Sequence, residues 1–233
     1  MGGSGIAMDT REAASALRLW LEMGVDLATQ ETPRNWFERS AAPSAQLLDA
    51  PTAPQTLPEN LQAFREWLSS AAAPLASARS RPVLPQGAES AEIMLLSDPP
   101  SREELADGRP IGGEAAQLME RMLAAIGMSG QAYSANLACF YSSGARLSPK
   151  QLEECAAAAR LHVALAKPKR LLLLGDAPSR TLLGKPLLQA RGHVHMVEGV
   201  RTIATFHPRQ LLKRPSDKAL AWKDLLLLTE DAS

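Results

Sequence analysis

From about residue 93 onward, short unbroken apolar runs alternate with longer stretches whose apolar positions recur every three or four residues. Residues 93–96, 170–174 and 200–206 are runs of the first kind. They are too apolar to face water on either side and read as buried strands. A further strand carrying Asn136 falls within 132–140, and 194–197 reads as an extra edge strand. Residues 114–126, 149–166, 177–183 and 216–228 have helical spacing, with Gly127 stopping the first helix and Gly175 the strand before the third. Strands alternating with helices predict an α/β fold, a three-layer α/β/α sandwich around a mostly parallel four-stranded sheet.

The first third of the chain has a different texture. Residues 11–23 place Ala14, Leu17, Trp20 and Leu21 at helical spacing, with Gly24 as a C-cap. An Ala-, Pro-, Ser- and Thr-rich linker follows, then a short helix over 61–71 and an irregular segment over 72–91. The expected organisation is an appended Gly/Ser-containing segment (1–7), an N-terminal helical extension (8–40), an Ala/Pro-rich linker (41–60) and an α/β domain (61–233). No apolar run approaches the roughly 18 residues a membrane span needs, and no secretory signal is visible. The expected location is the cytoplasm.

Net charge is zero over 233 residues, which argues against a uniformly basic nucleic-acid binder. The distribution is uneven: residues 160–224 hold 13 Lys/Arg against 4 Asp/Glu. That excess permits an electrostatic footprint on the C-terminal half, or a solvated basic surface. The most informative position lies inside it. The apolar strand over 200–206 delivers His207 and Pro208 at its C-terminal tip, followed by Arg209, Lys213, Arg214 and Lys218. The C-terminal ends of strands are where open α/β sheets bind ligands. His162, His193 and His195 lack such a context and read as structural.

Five stretches carry a resemblance. They are SDPPSREELADGRPIGG (97–113), NLACFYSSGAR (136–146), KPKRLLLLG (167–175), the Arg191-Gly192 pair, and TFHPRQLLKRPSDKALAWKDL (205–225). In this order they resemble the uracil-DNA glycosylase superfamily, in particular its bacterial family 4 and related branches. The resemblance implies a protein that flips a damaged base out of DNA into a pocket and hydrolyses its N-glycosidic bond. The base would be uracil or another deaminated base. A diverged, weakly active or inactive relative that binds DNA or a repair partner is the alternative.

By the same resemblance Asn136 would read the base edge, since an amide offers both donor and acceptor. His207 would donate to the carbonyl that gains charge as the base leaves. Asp98 would orient water, Ile111 would stand at the stacking position, and Pro99 would line the base site. Pro208, Arg209, Lys213, Arg214, Gly112 and Arg146 would face DNA. Several positions depart from the family pattern. Gly-Glu-Ala has become Ser97-Asp98-Pro99, the stacking Phe is Ile111, Gly112 replaces a Val, and Arg209 replaces a small residue. Glu103 and Glu104 are expected to face solvent or cap the following segment. Family 4 enzymes carry a four-cysteine iron–sulfur cluster, and this chain has only Cys139 and Cys155. No cofactor or metal is therefore expected, and the expected state is a monomer acting on DNA.

Overall fold

The computed structural model describes residues 58–76, 81–89, 91–141 and 147–230. The chain divides into two units, Met1–Gln55 and Thr56–Ser233; everything described here belongs to the second. The helix expected over 11–23, most of the linker, and Arg146 lie outside the described residues.

The first helix, α1 (Leu61–Leu68), starts at Asn60, whose side chain accepts the Ala63 N–H. The strands are β1 (Ile93–Ser97), β2 (Ala132–Asn136), β3 (Arg170–Leu174), β4 (Val194–Val197) and β5 (Val200–Thr205). The helices between and after them are α2 (Arg102–Asp107), α3 (Gly113–Ala125), α4 (Pro149–Ala166), α5 (Asp176–Leu183), α6 (Leu187–Ala190), α7 (Pro208–Lys213) and α8 (Lys218–Thr229). The long helix α4 begins where it should: Ser148 and Gln151 form a capping box and Pro149 occupies the first turn. Among the described residues no helix is long and apolar enough to cross a membrane.

The sheet order is β2-β1-β3-β5-β4. Four strands are parallel, as the sequence predicts. The fifth, β4, pairs antiparallel with β5, so the sheet has five strands rather than four. Its two-residue connection, Glu198-Gly199, has positive φ at both positions (47° and 77°). That is the geometry of a tight hairpin, and it explains how so short a segment reaches the edge.

Alternation along the parallel strands builds two cores. Ile93, Leu95, Leu172, Leu174 and Ile203 face a layer that includes Met119 and Leu123 of α3 and Leu225 and Leu228 of α8. Met94, Leu96, Leu171, Leu173 and Ala204 face the other way, toward Cys155, Ala159 and Val163 of α4 and Leu182 of α5. β1 is buried along its whole length.

Register decides where chemistry can occur. Ser97 lies opposite Asn136 on one side and Leu174 on the other, and Leu174 lies opposite Thr205. The C-terminal tips of all four parallel strands therefore end level. The chain passes from β1 outward to β2 and then back across to β3, which makes a topological switch point at β1.

Candidate functional site at the strand tips

Asn136 is the last residue of β2 and only 5% exposed. Its Nδ2 donates to Ser97 Oγ at 2.8 Å, to the Asp98 carbonyl at 2.9 Å and to the Pro110 carbonyl at 3.0 Å. Three oxygens around one nitrogen fix the amide orientation. The other atom, Oδ1, is buried without a partner. Asn136 thus presents a pure acceptor, suited to an N–H on a ligand.

His207 follows β5 and caps α7. Its Nδ1 accepts the Arg209 backbone N–H at 3.1 Å, so the proton of the neutral ring resides on Nε2. Burial, with a smaller push from Arg209, holds its pKa well below the usual histidine value. Neutral His207 therefore offers one N–H donor, and that atom too is buried without a partner. Pro208, at the first helical position of α7, is buried and fixes the turn.

Asp98 follows β1. Its Oδ1 accepts the Ala177 N–H at 3.1 Å from the first turn of α5. Desolvation outweighs that bond and the nearby Arg209, and lifts its pKa to about 6. The close approach requires Gly175: a Cβ there would lie 2.5 Å from Asp98 Oδ2, and the backbone has φ +109°. Pro99 is partly exposed between Asp98 and buried Pro100.

Glu104 was expected at the surface or in a cap, and the structure corrects the first part of that expectation. It does cap, forming a capping box with Ser101 at the start of α2. It is also only 2% exposed. Its Oε2 accepts from Arg209 Nη1 at 2.8 Å, and its Oε1 lies 3.8 Å from His207 Nε2. Arg209 reaches Asp98 as well, with Nη2 3.8 Å from Oδ2. Its charge is directed inward to two carboxylates of the site, which differs from the expected role toward DNA phosphates.

The remaining expected site residues divide. Ile111 is 7% exposed and belongs to the core layer under α3 with Leu95 and Met119. Gly112 caps α3, where a Cβ would meet Asp107 Oδ2 at 2.7 Å, and that carboxylate accepts the Gly113 N–H at 2.8 Å. Lys213 and Arg214 are exposed. Several cations of the C-terminal half have partners within the chain, and among the pairs seen those of Lys169 and Arg209 reach acids outside residues 160–224. Arg160 pairs with Glu198, Lys169 with Glu92, Arg180 with Asp176 and Arg191 with Asp224, while Arg201 bonds the Leu227 carbonyl. His162 is buried against Phe64 and bonded to the Tyr133 hydroxyl at 2.9 Å.

Two residues absent from the sequence-based site support it. Ser97 holds Asn136, and Asp224 holds Thr205 Oγ1 at 2.8 Å, two residues before His207. Asp224 is hidden in sequence inside an apolar helical run. Glu104 had a signal, the Ser101-x-x-Glu104 spacing, but that spacing announces a helix start and says nothing of burial.

A mostly parallel α/β sheet whose strand tips bring together a buried amide acceptor, a neutral imidazole donor and a largely desolvated carboxylate has the architecture of the uracil-DNA glycosylase class. Residues 84–226 match the family described as the uracil DNA glycosylase superfamily, and the chain belongs to it. It is 28% identical over 141 residues to a type-4 uracil-DNA glycosylase of Archaeoglobus fulgidus, covering 55% of this chain and 71% of the relative. It is 24% identical over 154 residues to a type-4 uracil-DNA glycosylase of Pyrobaculum aerophilum, covering 61% and 79%.

The four-thiolate cluster of family 4 does not fit this chain. A Cys₄ site needs four cysteines, and the sequence holds two. Burial lifts both thiols to about 12, so each packs in the core as a neutral, inert thiol. Cys139 packs in an apolar cluster with Phe64, Leu68, Ala73 and Phe140, and Cys155 belongs to the main core.

Proposed function

We propose that this protein recognises uracil, or another base with an imide-type edge, in DNA and hydrolyses its N-glycosidic bond. The observation that carries this reading is the pair of unpartnered buried atoms, Asn136 Oδ1 and His207 Nε2. Uracil offers the matching groups on neighbouring positions: N3–H for the amide oxygen and a carbonyl for the imidazole N–H. As the glycosidic bond breaks, the electron pair passes into the base, and the carbonyl facing His207 gains negative charge. A fixed N–H donor in a dry site stabilises that charge more than it stabilises the neutral base. Asp98, once ionised, accepts a proton from the water that attacks the sugar. Lys213 and Arg214, exposed beside α7, supply charge toward DNA phosphates.

One observation favours a second reading, a diverged member that engages DNA or a repair partner with little chemistry. Arg209 and Glu104 lie beside the very groups the base would need. The two readings separate in one experiment. Single- and double-stranded oligonucleotides containing uracil, hypoxanthine or xanthine are incubated with the protein and abasic sites are cleaved with alkali. Strand breaks at uracil support the glycosylase. Salt-sensitive DNA binding with no breaks at any base supports the second reading.

A further inference from the structure

We infer that Arg209 is an internal occupant of the base site, and that its guanidinium must leave the Asp98–Glu104 bridge before a base can reach His207. The inference rests on reading the strand tips as a base pocket, and it adds what keeps that pocket shut.

Access carries the argument. His207 is 3% exposed and Glu104 2%, so neither Nε2 nor the facing Oε1 can meet a ligand while the packing stands. The side chain of Arg209 is 27% exposed. Together with Asp98, whose side chain is 28% exposed, it is where this cluster reaches solvent. Glu104 is held from behind as well, since Oε2 also accepts the Ser101 N–H at 2.7 Å. Of the two partners, the long arginine is the one free to swing. Its own backbone remains fixed, because the Arg209 N–H is bonded to His207 Nδ1. Opening therefore changes a rotamer and leaves the His207 tautomer intact.

The guanidinium also holds together two walls of the site. Asp98 follows β1, Glu104 lies on α2, and Arg209 lies on α7, so one side chain bridges three elements. Breaking a buried ion pair is unfavourable because it leaves an uncompensated charge. That cost is set against base binding and scales the apparent affinity down to the open fraction. A small residue at 209 leaves Glu104, whose Oε1 faces His207 Nε2, held by the Ser101 N–H alone, so that carboxylate too can turn aside.

The test is discrimination between two oligonucleotides at equilibrium. One carries a single 2′-fluoro-deoxyuridine, whose glycosidic bond resists hydrolysis; the other carries 2′-fluoro-deoxycytidine at that position, whose N3 is an acceptor and has no N–H to offer Asn136 Oδ1. Binding is measured for the wild type, Arg209→Ser, and Glu104→Gln with Arg209→Ser. The double variant removes the stranded carboxylate charge and carries the test if the single variant fails to fold. The expected result is a uracil preference at least about tenfold larger in a folded variant than in the wild type. A wild type that prefers uracil, with variants showing the same or a smaller preference, overturns the role of Arg209 and leaves the base pocket standing. No preference in any of the three proteins overturns the occupant and the base pocket together.

Discussion

Arg191 and Asp224 form a forked ion pair in which Nη2 lies 3.1 Å from Oδ1 and 3.0 Å from Oδ2. The carboxylate is completely buried, and it also accepts from Thr205 Oγ1 and the Gly192 N–H. Arg191 in turn lies over the Phe206 ring at 4.9 Å. Both residues preceding His207 are thus clamped by one pair from α8 and the segment after α6. Asp224→Ala leaves the partly buried Arg191 guanidinium with only the Leu220 carbonyl, and Thr205 without its acceptor, and is expected to lower stability by about 3 kcal/mol, measured by urea unfolding. Asp224→Asn, which keeps an acceptor for Thr205, is expected to lose less.

Asn136 gives a prediction of a different kind. Its Nδ2 answers three oxygens at once. Asn136→Asp places a carboxylate oxygen against those oxygens, and Asn136→Ala leaves two buried carbonyls short of a donor. Each unmet group costs about 1–3 kcal/mol. Both variants should unfold at lower urea than the wild type, the Asp variant lowest at neutral pH, where its charge faces oxygen on every side. Loss of excision in either variant is therefore interpretable only beside its unfolding curve.

Gly175 is the position where the backbone itself makes room for Asp98. Gly175→Ala combines a strained φ of +109° with a Cβ 2.5–2.7 Å from the Asp98 carboxylate. A loss of more than about 1 kcal/mol is expected from the backbone alone. The collision should also displace Asp98, so the excision rate should fall by more than the unfolded fraction accounts for. Measuring both on the same preparation separates the two effects.

The pH dependence follows from two groups shifted in opposite senses. Asp98 has a folded pKa of about 6, raised from 3.8. Its contribution to stability is full below about pH 4 and is lost as pH rises to 6. Asp98→Asn should therefore gain stability relative to the wild type as pH rises from 4 to 7. The chemistry runs the other way. Ionised Asp98 is the form that accepts a proton, so the excision rate should climb through about pH 6, and the Asn variant should lack that limb. His207, its pKa held well below the usual value by burial, is already neutral in this range and adds no limb there. Its depressed pKa makes the fold lose stability as pH falls below 6.5. His162, lowered to about 3, acts in the same sense.

The strands were legible because fully buried parallel strands advertise themselves as apolar runs, as in Leu171–Leu174 and Ile93–Leu96. Helix α4 was legible in the helical spacing over 149–166, and Ser148, Pro149 and Gln151 are what fix its start. The short helices α2 and α7 were not: Arg102–Asp107 is mostly charged and too short for a period to show, and Pro208–Lys213 reads as a charged loop. For the site, His207 was legible because it follows an apolar strand, whereas Asn136 and Asp98 were named through the family resemblance. Their surroundings were not. The partner of Glu104 is 105 residues away, and no local pattern says that a glutamate will be buried by an arginine from another helix. Arg160, Arg191 and Arg201 likewise find their partners only in three dimensions.

The most direct measurement is single-turnover release of uracil from a single-stranded oligonucleotide, with protein in excess over DNA, for the wild type and His207→Ala. Loss of one donor to a developing oxyanion lowers a rate by about a hundred- to a thousandfold. The account predicts that release by the wild type exceeds the abasic background and falls by that factor in the folded variant. No release by the wild type, or equal release by both proteins, would contradict it.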